Sequence, residues 1–293
     1  KYRCGLGLRA FGPPDPLLVI RLILGAFLLL PGVVLVLLGL FWQPFPPELL
    51  VAEPFLSPCF SHPMGTDWFG RDLLSRVMVG GRASFAVSLL SVSAGGFLGI
   101  FFGLLAGYFR GFWGEVLLRV SDGVLAFPPV LLALILAVVL GRGLGGVILA
   151  LALFNFPYFF RLAHAGTLEL REREYILAAR ATGAGSARIL FRHLLPNLAS
   201  PLLVQATFSL STALLAEASL SYLGLGVQPP HPTWGRMLWE AQSWLFRSLY
   251  PALFPGLILT FSVLGLNVLG DFLRDFLDPR LRPLFLYSFS ASS

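Results

Sequence analysis

Charge is scarce in this chain. Of its 293 residues only 12% are Asp, Glu, Lys or Arg, while 56% are hydrophobic and the mean hydropathy is +0.80. A soluble domain carries about twice that share of charge, so the composition excludes an ordinary soluble fold and points to an integral membrane protein. Lysine is nearly absent: Lys1 is the single one among 21 basic residues. A phosphate-binding P-loop needs a lysine behind its glycines, so the chain is not by itself an ATPase of that kind, and any ATP it uses must be hydrolysed by a partner. There are two cysteines, Cys4 and Cys59. They flank the first apolar run, fall on opposite sides of a membrane, and cannot pair; neither a disulfide framework nor a zinc site is expected. The four histidines, His62, His164, His193 and His231, are isolated, and no His-Glu-x-x-His occurs, which leaves no metal or nucleophile pair for an intramembrane enzyme. The first residue is Lys1 rather than methionine, which points to a processed or incomplete start.

Long apolar runs are plentiful. Six stretches reach the roughly 17–25 helical residues that a ~30 Å hydrocarbon core requires: Leu22–Trp42, Ala83–Phe109, Gly123–Gly141, Gly143–Phe160, Leu198–Ala216 and Leu249–Gly270. Lipid offers no partner for backbone amides, so each must be helical. The expected fold is an all-α integral membrane protein of about six transmembrane helices. The third and fourth runs form a tight hairpin at Gly141-Arg142-Gly143, and Pro128-Pro129 and Pro157 are expected to kink their helices. Leu22–Trp42 is long for a secretory signal and is followed by no small-x-small cleavage site, so it reads as a retained anchor. With the N-terminus inside, 15 of the basic residues fall on the inner side and 6 on the outer, which places both termini in the cytoplasm. The net charge of +6 is thereby topological; the arginines are scattered between apolar runs, and nucleic-acid binding is not expected. Residues 1–82 form an anchor helix and external loop, 83–273 the membrane domain with a cytoplasmic loop at 164–197, and 274–293 a cytoplasmic tail. In the second external segment Trp234, Trp239 and Trp244 read as an interfacial belt.

The polar exception is an arginine-rich island on the cytoplasmic side. Arg171 to Leu195 has helix-forming composition. Tyr175, Ala178 and Ala179 recur at three-to-four-residue spacing. Gly183 and Gly185 break the helix, and a second helix runs from Ser186 until Pro196 stops it. The result is a knob with a small-residue tip, ringed by Glu174, Arg188 and Arg192. It suits either a groove on a partner or a surface of anionic lipid. Polar residues within the spans are costly in lipid and mark a translocation pathway: Asn155, Glu217 and Asn267. Asn155 and Asn267 also suit helix-to-helix hydrogen bonding, Glu217 suits an ion pair with Arg82 or Arg236, and Asp122 a local pair with Arg119. In the first external loop Asp67, Arg71, Asp72 and Arg76 suit either docking of an external protein or a self-contained salt-bridged fold.

Ala178-Ala179, then Gly183, then Leu195-Pro196 resembles the EAA loop of ABC-importer permeases. Leu177 stands at the position where the family carries glutamate, with Glu174 one turn away, and His193 at a usually hydrophobic position. Gly65-Thr66-Asp67, Gly70-Arg71-Asp72, Arg82-Ala83-Ser84, the run Ala216 to Gly226 with Pro229-Pro230 and Trp234-Gly235, and Leu277-Asp278-Pro279-Arg280 are similar to the dipeptide/oligopeptide/nickel subfamily, in its C-type permease. The resemblance implies a type I ABC-importer permease fold and a multi-pass protein of a prokaryotic plasma or inner membrane. The implied machine has two unlike permeases, two ATPase subunits and an external solute-binding protein. The loop holding Glu174, Tyr175, Ala178, Ala179, Gly183, Arg188, Arg192 and Pro196 is then the ATPase-coupling loop. The chain is a transport subunit rather than an enzyme and binds no cofactor or metal; ATP and magnesium sit on the partner ATPases. Peptide is the expected solute, with nickel or another small solute as alternatives. An ion-driven secondary transporter is the rival from another class, but neither internal repeats nor a broken midplane helix is evident.

Overall fold

The structure, a computed structural model, describes residues 16–141 and 143–277. Lys1, Cys4, Arg142 and Asp278-Pro279-Arg280 lie outside the described residues, as does most of the 274–293 segment. Among the described residues the chain is all helical apart from turns and one isolated bridge between Thr66 and Asp72.

Five helices are long and apolar enough to cross a membrane. Helix α1 (Pro16–Phe41) leads to a loop that ends at the start of α2 (Leu73–Phe109). The boundary expected at residue 82 therefore falls inside α2, a rod of 37 residues and about 55 Å at 1.5 Å per residue. The third expected span is not one helix. Residues Gly123–Gly141 take in only the last three residues of α3 (Phe112–Leu125) and then α4 (Pro129–Leu140). Pro128 is extended, with ψ 130°, because a residue preceding proline avoids the helical region. Two successive prolines thus break the span rather than kink it, and α4 covers only about 18 Å. The described residues accordingly form five full spans and one shorter apolar helix. Helix α5 (Leu144–Leu170) follows.

Glycine spacing decides how these helices pack. On α2, Gly95, Gly99, Gly103 and Gly107 recur every four residues and line one face. They meet the α5 carbonyls of Ala152, Phe156, Phe160 and His164, also four apart. A Cβ added at Gly99 or Gly103 would sit 2.6 Å from the opposing carbonyl oxygen, and at Gly107 2.8 Å. The two backbones touch, which permits close dispersion contact and weak Cα–H···O bonds where lipid supplies no hydrophobic drive. Helix α1 uses a longer period: Gly25, Gly32 and Gly39 are its only buried residues among those described. Gly25 and Gly32 lie on Leu269 and Ser262 of α10 (Tyr250–Leu277), and Gly39 on Met78 of α2. Beside them the half-buried Leu29, Leu35 and Val36 pack on the core, and the opposite face of α1 is exposed, as suits an anchor helix at the bundle's edge.

The cytoplasmic loop is shorter than residues 164–197, because α5 continues to Leu170. It holds α6 (Glu174–Ala181) and α7 (Ser186–Arg188). Pro196 does not stop the helix after Ser186. A π-helical turn, Ile189–Leu194, carries the chain into α8 (Leu195–Tyr222), with Pro196 in the first turn. The wider turn accommodates a residue that has no N–H to give. Residues Ser186–Tyr222 thereby form one apolar rod from the cytoplasmic knob to the outer face. The short α9 (Trp234–Gln242) lies in the loop between α8 and α10.

Candidate functional site

The knob is built on one buried anchor. Ile176 of α6 is fully buried and packs into the cluster formed by Ile189, Leu190, Leu194 and Leu198. Around it Tyr175 and Leu177 are 43% and 47% exposed, Ala178 is exposed and Ala179 half-buried. Spacing alone grouped Tyr175 with the alanines and passed over Ile176, whose apolar neighbours lie far along the chain. The turn after α6 is a Schellman motif: Gly183 N–H donates to Arg180 O at 2.9 Å and Ala184 N–H to Ala179 O at 3.0 Å. It requires the left-handed φ of +83° that Gly183 adopts. The glycine therefore closes the helix as well as keeping the tip small.

Arginines fasten the knob to α2. Arg171 Nη1 donates to Gly107 O at 3.2 Å and Tyr108 O at 2.8 Å, capping the C-terminal end of α2. The Arg180 guanidinium lies 4.9 Å over the Tyr108 ring. By contrast, Glu174, Arg188 and Arg192 are exposed and make no ion pair among the described residues. They ring a surface of Ala178, Ala181, Gly183 and Ala187, all exposed. Pro196 and Asn197 are exposed at its edge. The arrangement can enter a groove and meet charges on its rim; it cannot do covalent chemistry.

The intramembrane candidates divide. Asn155 is buried, back-bonds to Leu151 O at 2.8 Å, and sits against Gly95 at the α2–α5 seam. Glu217 is fully buried and pairs with neither Arg82 nor Arg236: Arg82 donates to Gly39 O, and Arg236 to Glu240 at 3.2 Å. Its Oε1 accepts from Ser221 Oγ at 2.7 Å, and its Oε2 has no hydrogen-bond partner among the described residues. Both side chains thus turn into this chain's own core. Asn267 is half-buried and makes no side-chain hydrogen bond among the described residues. Asp122 pairs with Arg161 at 3.4 Å rather than with Arg119.

The external loop is a folded, charge-stapled unit. Asp67 and Asp72 are buried. Asp67 accepts from the Phe69 and Arg71 amides and from Arg71 Nε at 2.6 Å. Asp72 caps α2 through Ser75 N and Ser75 Oγ, and bonds His62 Nδ1 at 2.8 Å. Arg76 is buried and reaches Glu240 of α9 at 2.7 Å, where Arg71 and Arg236 also converge. Asp67 and Arg76 are buried and tie the loop towards Glu240 of α9, while the buried Asp72 ties His62 to the start of α2, so these three side chains serve the self-contained salt-bridged fold. Glu240 completes the cluster but lies about 170 residues away in sequence, beyond the reach of local pattern. Trp234 corrects the interfacial-belt reading. It is fully buried, with its Nε1 donating to Val77 O at 2.9 Å, whereas Trp239 and Trp244 remain 38% exposed.

Residues 99–283 match the family of binding-protein-dependent transport system inner membrane components. The chain belongs to that family. It is a multi-pass inner-membrane transport component, not an enzyme, and membership displaces the ion-driven alternative. Similar proteins include a glutathione transport system permease protein of Pectobacterium atrosepticum, 43% identical over 77% of this chain and 75% of that protein. A dipeptide transport system permease protein of Alkalihalophilus pseudofirmus is 42% identical over 77% and 74%. A di/tripeptide transport system permease protein of Pseudomonas aeruginosa is 44% identical over 75% and 72%. In three dimensions the permease fold matches a methionine ABC transporter solved in inward-facing conformations, with a TM-score of 0.55 and 20% identity, over 66% of this chain and 91% of that one. The fold is that of a type I ABC-importer permease.

Proposed function

We propose that this permease forms half of the translocation pathway of an importer for short peptides delivered by an external binding protein. It pairs with a second, unlike permease, and two ATPase subunits carry ATP and magnesium. The observation behind this is the α6–Gly183–α7 knob: small-tipped, ringed by unpaired charge, and continuous through Ser186–Tyr222 with the outer face. Such a rod delivers a push at the cytoplasmic surface to both ends of a bundle with two stable arrangements. Relatives named for dipeptide, di/tripeptide and glutathione transport support a peptide over nickel. Asn267 is the pathway residue this reading keeps, since Asn155 and Glu217 are occupied inside the chain.

The test is purification of the tagged permease from its native membranes, wild type beside Ala178→Arg and Gly183→Arg. ATPase subunits and a second permease should accompany the wild type, and both variants should lose the ATPases while keeping the second permease. Labelled dipeptide should then enter proteoliposomes holding the wild-type assembly with its binding protein and ATP. Purification of the wild type alone, or uptake of nickel and not peptide, refutes the corresponding half of the proposal.

A further inference from the structure

A crevice opens between α1, α2, α8 and α10 towards the outer side of the membrane. Its volume is about 220 Å³, and it is lined by Val36, Leu40, Phe85, Leu89, Leu214 and Leu266 with one cation, Arg82. Arg82 stands at the outer end of the apolar part of α2, half-buried, and donates one hydrogen bond, from Nη1 to Gly39 O at 3.0 Å. No carboxylate pairs with it among the described residues, so four of its five N–H donors are left. A cation beside hydrocarbon is costly unless something neutralises it. The crevice does not end at Leu89. A second hollow of about 370 Å³ shares Leu89 and Leu210 with it and runs on past Val92, Gly96 and Leu203. From Arg82 to Val92 the helix advances about 15 Å at 1.5 Å per residue, the depth of one leaflet of a ~30 Å core.

We propose that this crevice is a binding site for one anionic phospholipid of the outer leaflet, with its phosphate on Arg82 and one acyl chain lying along α2 between α1 and α8. A guanidinium meets phosphate oxygens through two parallel N–H donors, and the walls facing a tail are apolar apart from Ser88, whose Oγ donates to Ser84 O, and Ser93. The occupant is a lipid rather than a polar solute because, among the described residues, Arg82 is the only charged one in the lining. It is an anionic lipid because that charge is unpaired. This site is independent of the transported solute.

The experiment is native mass spectrometry of the complete purified transporter, delipidated in detergent and then titrated with phosphatidylglycerol or with phosphatidylcholine. Wild type should retain one phosphatidylglycerol with at least tenfold preference over phosphatidylcholine. Arg82→Gln should abolish the preference while leaving the assembly intact. Ala86→Trp, which fills the exposed mouth of the crevice and keeps the charge, should lower occupancy of both lipids several-fold. Equal retention of the two lipids by the wild type overturns the proposal, as does an unchanged preference in Arg82→Gln. It also falls if a cysteine at Ala86 crosslinks to the second permease, because protein then covers the crevice.

Discussion

Two carboxylates fix the outer half of this permease. Glu240, half-buried, meets three arginines, Arg71, Arg76 and Arg236, and its removal leaves the buried Arg76 guanidinium with only Asp67 at 3.5 Å, at a cost of about 1–3 kcal/mol. Glu240→Ala should therefore free the external loop, read as rapid protease cleavage between residues 43 and 72 of the folded transporter; unchanged cleavage would show that the cluster adds nothing. Glu217 is a different case, because its partner is the neutral hydroxyl of Ser221 rather than an arginine. Its shape and one hydrogen bond survive in Glu217→Gln, so assembly and uptake should hold. Glu217→Leu orphans Ser221 and should lower stability by about 1–3 kcal/mol, seen as a lower midpoint of thermal unfolding. Lost uptake by a well-assembled Glu217→Gln protein would instead return this carboxylate to the pathway. Asp67, Arg71, Asp72 and Arg76 were visible in the sequence as a charged group. Their direction, inward to one another and to α9, was not, since it depends on Glu240 arriving from another loop.

At the scale of helices, glycine period separates contact from spacing. Gly103 opposes Phe160 O so closely that Gly103→Val must push α2 off α5, and core overpacking costs about 1–3 kcal/mol or more. Gly123, in α3, has nothing within 4 Å of an added Cβ. Gly123→Ala should be neutral or stabilising by up to about 1 kcal/mol, because glycine is a poor helix former. Thermal unfolding of both variants in one detergent checks the contrast, and equal midpoints would rule out the glycine seam as a structural contact. The apolar runs were legible, because span length and hydrophobicity follow from the bilayer alone. At Pro128 the sequence predicts a kink rather than a break, because runs of apolar residues conceal where a helix stops. At Pro196 it predicts a stop, because the π-turn there is held by packing of Ile189, Leu190 and Leu194 and leaves no local pattern.

For the molecule as a whole, docking and transmission should be separable at neighbouring positions of α6. Ala178 faces outward and Ile176 inward, two residues apart on one helix. Arginine at 178 changes the surface offered to an ATPase and leaves the attachment of α6 to the bundle alone. Alanine at 176 leaves that surface intact and removes the anchor, and loss of a fully buried isoleucine costs about 2–5 kcal/mol. An eight-residue element such as α6, about two turns, has little stability of its own in water, so its orientation rests on that anchor, on the Arg180–Tyr108 stack and on the Arg171 cap. The knob should then still bind the ATPase but move independently of the π-turn and α8. Ile176→Ala should co-purify with its ATPases, hydrolyse ATP, and lose most of the stimulation by solute-loaded binding protein, with uptake falling at least tenfold. Measuring hydrolysis with and without loaded binding protein, on the same preparations used for uptake, decides the matter. If stimulation and uptake survive, force reaches α8 by a route other than the Ile176 packing, and the stretch from Gly183 to Arg188 becomes the sole mechanical link.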